Sequence, residues 1–144
     1  MTIKLLLQDL DLRVRTIKPD APIATATSKL ARDDTSALVV TDNDKSVLGI
    51  LSSSDIVKYL KKNSELSSHL TVGQLMTNDV ISCDTAETVQ RLEQLMTKHQ
   101  VRHIPITDGG NLCAVVNVLD IVRYRMQAAE KEAGQLRNYV SGVV

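Results

Sequence analysis

The chain repeats itself once, and this internal duplication constrains its fold more than any other feature. Residues 80–108 align with residues 14–42 without a gap, at a constant offset of 66 positions. After a turn that is one residue shorter in the second copy, the tripeptide Asp-Ile-Val occurs at residues 55–57 and again at 120–122. The sequence therefore predicts two copies of one structural unit.

Each copy shows the same succession of local patterns. An extended segment is followed by a helix with apolar residues three and four positions apart: Ile23, Ala26 and Leu30 in one copy, Val89, Leu92 and Met96 in the other. Two β-branched runs across a polar turn then predict a hairpin, and a final helix begins at Ser53 or Val118. The order strand-helix-strand-strand-helix, found twice, predicts a mixed α/β (α+β) fold with pseudo-twofold symmetry.

The predicted organisation has four parts: a first repeat over residues 1–60, a polar linker over 61–70, a second repeat over 71–126 and a C-terminal helical extension over 127–144. Each repeat alone has few apolar residues, so we expect sheet to pack against sheet in a shared core. Asp84 with Glu87 predicts a capped helix start in the second repeat.

Composition argues against several classes of protein. Seventeen basic and seventeen acidic residues cancel, and aromatic residues make up 2%, which disfavours binding of nucleic acid or a membrane surface through bulk charge. Cys83 and Cys113 have neither metal-binding nor redox-motif spacing, and we expect both thiols to be buried and reduced. No apolar stretch approaches the ~20 residues needed to span a bilayer, so we expect a cytoplasmic protein.

A polar residue followed three positions later by an aspartate ends the last strand of both copies. These pairs are Ser52 with Asp55 and Asn117 with Asp120. One interpretation is a helix cap; the other is a ligand site, in which the carboxylate accepts hydrogen bonds from ribose hydroxyls and the helix start binds phosphate. Because we expect both acids at the mouth of the same cleft between the repeats, the duplication favours a site that also caps the helix.

Both copies resemble CBS domains, the cystathionine-β-synthase-type repeats that occur in pairs. The resemblance is carried by the segments VRTIKPDAPI, SALVVTD and GILSSSDIVKYL in the first copy, and by LMTNDVISCD, VRHIPITD and VVNVLDIVRY in the second. The resemblance covers roughly residues 3–126. Within the family, the chain is most similar in type to the free-standing CBS pairs of bacteria and archaea. The resemblance implies a non-catalytic regulatory module that senses energy state by binding AMP, ADP or ATP in the cleft, with NAD and S-adenosylmethionine as alternatives. It also implies a homodimer and a separate, unidentified regulated protein, with no catalytic cofactor or metal.

Position by position, the resemblance implies nucleotide-binding residues in both copies. Asp55 and Asp120 match the family's ribose-binding aspartate, and Ser52 and Asn117 match its hydroxyl residue near the phosphates. Arg102 offers positive charge to phosphate. The segments that match the walls of the base pocket contain Thr16, Ile17, Lys18, Ala37, Leu38, Ser82, Cys83, Asp84, His103, Ile104 and Pro105. The second copy departs from the family pattern in having Ala114 where glycine is usual and Asn117 where serine or threonine is usual.

The residues argue against an enzyme, and two other functions are alternatives. An enzyme would need a catalytic or metal constellation. His99 and His103 are four residues apart, which on one helix would suit a metal, but Pro105 and the β-branched run around it predict that His103 lies on a strand. A nucleic-acid-binding protein would need a basic face, but the densest basic cluster is interrupted by Glu130 and Glu132. A purely structural dimerisation module is the remaining alternative. We expect the homodimer to use the aliphatic helix pair at residues 23–30 and 89–96 and the apolar extension at Leu136, Tyr139 and Val140.

Overall fold

The computed structural model describes residues 1–10, 12 and 14–142. Within these residues the elements are α1 (Ile3–Asp9), β1 (Thr16–Ile17), α2 (Ile23–Arg32), β2 (Ala37–Val40), β3 (Gly49–Ser52), α3 (Ser53–Asn63), α4 (Val72–Leu75), β4 (Cys83–Asp84), α5 (Val89–His99), β5 (His103–Asp108), β6 (Asn111–Asn117) and α6 (Val118–Val140). The predicted mixed α/β fold and its repeated element order are confirmed. In the described part of the chain, no helix has the length and apolarity required to cross a membrane.

The strands form two three-stranded sheets, one in each repeat, with the orders β1-β2-β3 and β4-β5-β6. The first strand of each sheet pairs in parallel with the second, and the second pairs with the third as the predicted antiparallel hairpin. The register sets Ala37 opposite Ser52 in one sheet and His103 opposite Asn117 in the other. Each sheet therefore ends in the same way, with a polar residue that leads directly into the final helix.

The helix that precedes each repeat packs on the other repeat. In α1, the Ile3 amide donates to the Glu87 carbonyl over 2.8 Å, and the Ile3 side chain is fully buried in the core of the second repeat. In α4, the Val72 amide donates to the Ala21 carbonyl over 2.9 Å, and Val72 is fully buried in the first core. The buried residues thus form two cores, each closed by a helix from elsewhere in the chain, where the sequence predicted one shared core.

The apolar faces of α2 and α5 point into these cores. Their residues, predicted as a dimer surface, are between 0% and 7% exposed: Ile23, Ala26, Leu30, Val89, Leu92 and Met96. That prediction is wrong because each helix covers its own sheet and leaves no apolar face for a second chain.

The start of α5 also differs from the sequence prediction. Thr88 is the N-cap, and its hydroxyl accepts a hydrogen bond from the Arg91 amide over 3.1 Å. Asp84 lies at the end of β4, where its amide donates to the Glu87 carboxylate over 2.8 Å. Asp84 and Glu87 therefore stabilise the turn before the helix and do not cap its first turn.

The two cysteines differ in their surroundings. Cys83 is buried, and burial, reinforced by the nearby Glu87 carboxylate, raises the pKa of its thiol to about 11. Cys113 is exposed, because it lies on β6, an edge strand in which exposed and buried residues alternate around Ala114. The expectation of two buried thiols is correct for Cys83 and wrong for Cys113.

Candidate functional site

The two strand-to-helix junctions are built alike. In the first, the Ser52 amide donates to Asp55 Oδ2 over 2.9 Å, and the Asp55 amide donates to the Ser52 hydroxyl over 3.3 Å. In the second, the Asn117 amide donates to Asp120 Oδ2 over 2.9 Å, and the Asp120 amide donates to Asn117 Oδ1 over 3.0 Å. Both junctions are reciprocal capping boxes. The cap interpretation of the sequence is therefore correct in both repeats.

Each aspartate also lines a cavity. The Asp55 cleft has a volume of about 400 Å³ and is lined by Ile50, Ser52, Ser54, Asp55, Lys58, Thr77, Gln100, Val101, Arg102 and His103. The Asp120 cleft has a volume of about 450 Å³ and is lined by Leu12, Arg15, Asp33, Asp34, Thr35, Ala37, His103, Val115, Asn117 and Asp120. Both volumes lie within the range of ~300–1,000 Å³ typical of small-molecule sites. The two acids thus lie in separate clefts, which corrects the expectation that they share one.

Both clefts are formed between the repeats. The Asp55 cleft takes its aspartate from the first repeat and Arg102 from the second, whereas the Asp120 cleft takes its aspartate from the second repeat and Arg15 from the first. Several linings are equivalent under the duplication, such as Ile50 with Val115. Arg102, directly before β5 of the second repeat, therefore lines the cleft of the first repeat's aspartate.

The clefts differ in charge. The Asp55 cleft has two cationic side chains, Lys58 and Arg102, and one carboxylate. The Asp120 cleft has three carboxylates and one cation, Arg15, which lies 4.0 Å from the Asp33 carboxylate in an ion pair. The Asp55 cleft is consequently the better environment for an anionic group, and the Asp120 cleft is the poorer one.

His103 lines both clefts and connects the repeats. Its Nε2 lies 2.7 Å from the Ser36 hydroxyl of the first repeat. Burial lowers the pKa of the His103 imidazole below its ordinary value; Asp120 opposes this shift and Arg102 adds to it. A neutral imidazole that is shared by two cavities can accept or donate a hydrogen bond in either one.

Seven of the residues that the resemblance implied line a cleft, and nine do not. The seven are Ala37, Ser52, Asp55, Arg102, His103, Asn117 and Asp120. Of the nine, five are buried, namely Ile17, Leu38, Cys83, Ile104 and Pro105, and the other four are Thr16, Lys18, Ser82 and Asp84. Asp84 has a local structural role, because its carboxylate accepts from the amides of Ala86 and Gly109.

Sequence reasoning missed most of the charged lining. Lys58 lies one turn after Asp55 on α3, and this spacing of three was a usable signal. Arg15, Asp33 and Asp34 carried no signal of this kind, because they approach Asp120 only through the packing of one repeat on the other.

The sequence model of the CBS-domain family matches residues 9–62 and 72–127. The crystal structure of the CBS-domain containing protein ATU1752 from Agrobacterium tumefaciens resembles this chain with a TM-score of 0.80. The two sequences are 33% identical, and the match covers 87% of this chain and 99% of that one. This chain is 28% identical to the CBS domain-containing protein YhcV of Bacillus subtilis, over 90% of this chain and 89% of that protein. The chain spans between 24% and 89% of the length of eight curated relatives that it matches.

Two further solved structures share the fold and contain ligands. CBSX2 in complex with AMP has a TM-score of 0.73 at 21% identity, over 89% of this chain and 98% of that one. The CBS domain pair of MJ0100 in complex with 5′-methylthioadenosine and S-adenosyl-L-methionine has a TM-score of 0.71 at 24% identity, over 86% and 98%. With both repeats matched by the family and the fold shared along most of its length, this chain belongs to the CBS-domain family and carries two CBS domains.

Proposed function

We propose that the protein is a non-catalytic regulatory module that binds adenosyl ligands, AMP, ADP or ATP, in its two clefts. The observation that carries the proposal is the placement of Asp55 and Asp120. In each carboxylate, Oδ2 caps a helix, while no donor contacts Oδ1 within the part of the chain that the structure describes. Oδ1 of each aspartate can therefore accept hydrogen bonds from the two hydroxyls of a ribose.

The ligands seen in related folds support this proposal. The complexes of CBSX2 with AMP and of MJ0100 with 5′-methylthioadenosine and S-adenosyl-L-methionine share an adenosine unit. A carboxylate that accepts from ribose hydroxyls recognises this unit whatever substituent follows the 5′ carbon. NAD, which contains the same unit, is an alternative ligand.

We infer that the clefts differ in their preference for phosphate. Lys58 and Arg102 provide positive charge in the Asp55 cleft, and the amides at the start of α3 add the positive end of a helix dipole. In the Asp120 cleft, Asp33 and Asp34 oppose a polyphosphate. We therefore assign ATP and ADP to the Asp55 cleft and expect weaker nucleotide binding at Asp120.

A thermal-shift screen of the full chain with AMP, ADP, ATP, NAD and S-adenosylmethionine tests the proposal. A ligand that binds only the native state raises the free energy of unfolding by about 2.7 kcal/mol at a hundredfold excess over Kd. GMP is the control for adenine, and the double variant Asp55→Asn/Asp120→Asn is the control for the clefts. If none of the five ligands shifts the transition, the proposal fails and a structural dimerisation module takes its place.

We also propose that the protein is a homodimer that signals to a separate protein. The support is the amount of apolar side chain left in water on α6, where Leu119 is 56% exposed, Met126 59% and Leu136 63%. Light scattering should give twice the chain mass in the micromolar range. A monomer mass at every concentration would contradict this.

A further inference from the structure

The exposed apolar residues of α6 form a regular pattern. Their spacings alternate between three and four over the whole helix, and each residue is exposed: Leu119, Val122, Met126, Ala129, Ala133, Leu136 and Val140. We call this set the α6 seam. Alternating spacings of three and four define the a and d positions of a heptad repeat, the pattern of helices that pair as coiled coils.

Most of the α6 seam is separate from the face by which α6 packs on its own repeat, although Ala129 also lines a cavity with Val89 and Gln90 of α5. Ile121 is buried in the second core, and Tyr124 is half-buried against it, with its hydroxyl 2.9 Å from the Met1 sulfur. From residue 125 to 140, every residue except Gly134 is exposed. A helical stretch that buries none of its residues gains little stability from packing, because most helix stability in proteins comes from burying an apolar face. A partner that covers the α6 seam would supply this burial.

Charged residues beside the α6 seam specify that partner and its direction. If Leu119 is assigned to heptad position a, the e positions hold Arg123, Glu130 and Arg137, and the g positions include Arg125 and Glu132. In a parallel pair, each g residue faces the e residue of the next heptad on the other helix. Arg125 then faces Glu130 of the second copy, and Glu132 faces Arg137 of the second copy, and both pairs occur twice by symmetry.

One register of the antiparallel alternative brings like charges together. With the two seams centred on each other, Glu130 would lie beside Glu130 of the second copy and Glu132 beside Glu132 of the second copy. Arg123 would lie beside Arg137 of the second copy. Each of these contacts is repulsive. A second antiparallel register, with Leu119 beside Leu136 of the second copy, joins opposite charges but leaves Val140 outside the seam. Only the parallel pair combines attractive charge contacts with burial of the whole α6 seam.

One of the charged residues already has a partner within the chain. Arg125 Nε donates to the Glu93 carboxylate over 2.8 Å, and its side chain is still 62% exposed. A guanidinium has five N–H donors, so this ion pair leaves donors for a second carboxylate. The ion pair with Glu93 also holds Arg125 at the edge of the α6 seam.

From these observations we propose that α6 binds α6 of a second copy of this chain as a parallel two-stranded coiled coil with the α6 seam as its core. The proposal rests on the homodimer proposed above and adds its surface and its direction. In a parallel coiled coil, the CBS-domain pairs of both copies lie at the same end, because each pair is attached to the N-terminal end of its α6.

A charge exchange between Glu132 and Arg137 tests the direction. Glu132→Arg and Arg137→Glu each turn two attractive contacts into repulsive ones, and each should raise the dimer dissociation constant about 5- to 30-fold. The double variant exchanges the charges and should restore the dissociation constant of the unmodified chain. These positions face solvent in the monomer, so the variants should keep its fold, which circular dichroism verifies.

Disulfide trapping gives an independent measurement. In a Cys113→Ser background, Leu136→Cys places a thiol at a d position, which faces its own equivalent only in a parallel pair. We expect mild oxidation to convert this variant to a covalent dimer. Gln135→Cys, at a c position on the outer side of the coiled coil, is the matched control and should stay uncrosslinked.

The outcomes separate this inference from the dimer itself. If the unmodified chain is a dimer but neither charge variant weakens it, or the double variant fails to restore it, the coiled coil is refuted and the dimer uses another surface. If Leu136→Cys crosslinks no better than Gln135→Cys, the parallel direction is refuted. If the unmodified chain is a monomer throughout the micromolar range, both the dimer and the coiled coil are refuted.

Discussion

The substitution Asp55→Asn separates the two roles that the structure gives to this carboxylate. Oδ2 accepts hydrogen bonds from the Ser52 amide over 2.9 Å and from the Ser52 hydroxyl over 3.0 Å, and both bonds belong to the helix start. Oδ1 faces the ligand in our proposal. An asparagine retains one oxygen that can accept from the Ser52 amide, but it has no second oxygen for a ribose hydroxyl and no charge.

The two roles have different expected magnitudes. The Ser52 hydroxyl still accepts from the amide of residue 55, so the cap is largely kept and the loss of stability should be about 1 kcal/mol or less. Hydrogen bonds to charged groups contribute about 1.5–3 kcal/mol. The affinity of the Asp55 cleft for AMP and ATP should therefore fall roughly 10- to 150-fold.

Calorimetric titration and urea unfolding of the same protein measure both quantities. Ser52→Ala is the matched control, because it removes the side-chain acceptor of the cap and keeps the carboxylate. It should cost about 0.5–2 kcal/mol of stability and change affinity less than Asp55→Asn does. Asp120→Asn should leave the Asp55 cleft unchanged. Unaltered affinity in Asp55→Asn, or an affinity loss no larger than that of Ser52→Ala, would refute the assignment of ribose to Asp55.

Three further predictions concern charge, pH and packing. Lys58→Ala should weaken ATP binding about tenfold and adenosine binding hardly at all, and this difference between the ligands should shrink in 0.5 M salt. An equal loss of affinity for both ligands in titrations would contradict a contact between Lys58 and phosphate. Burial lowers the pKa of His103 below 6.5, so the unfolded chain binds this proton more readily and stability should fall as pH decreases below about 6.5. Urea midpoints measured between pH 7.5 and 5 should fall less steeply in His103→Gln, and an identical slope would contradict the lowered pKa. Gly49→Ala would set a Cβ 2.8 Å from the Thr77 carbonyl oxygen, at a cost of about 1–3 kcal/mol. Gly134→Ala has open space, should stabilise α6 by up to about 1 kcal/mol, and serves as its control in thermal unfolding.

The parts of the fold that depend on local pattern could be predicted from the sequence. The apolar spacing from Ile23 to Leu30 predicted α2, and the turn between two β-branched runs predicted each hairpin, because both signals lie within a few residues. The pairing of Ser52 with Asp55 predicted a capping box for the same reason. In each case the atoms that interact are close neighbours along the chain.

The parts that depend on distant contacts could not be predicted in this way. Helix α1 is a seven-residue segment whose burial requires the backbone of Thr85 and Glu87, and nothing in its own sequence indicates that surface. The charge difference between the clefts depends on Asp33 and Arg102 lying across from the other repeat's aspartate. The burial of Cys113 was mispredicted because an apolar run on an edge strand alternates between faces.

The exchange of helices between the repeats has a consequence for how the chain folds during synthesis. Thr2 pairs with Thr88, so the contact that fixes α1 spans 86 positions along the chain. A fragment ending at residue 60 lacks α4 and with it Val72, which closes the first core. Since domains emerge from the ribosome N-terminus first at about 5–20 residues per second, Ile3 and Leu6 stay without their core for seconds. Helix α1 is thus buried only after the second repeat has been synthesised, whereas the first core needs only α4, at the start of the second repeat.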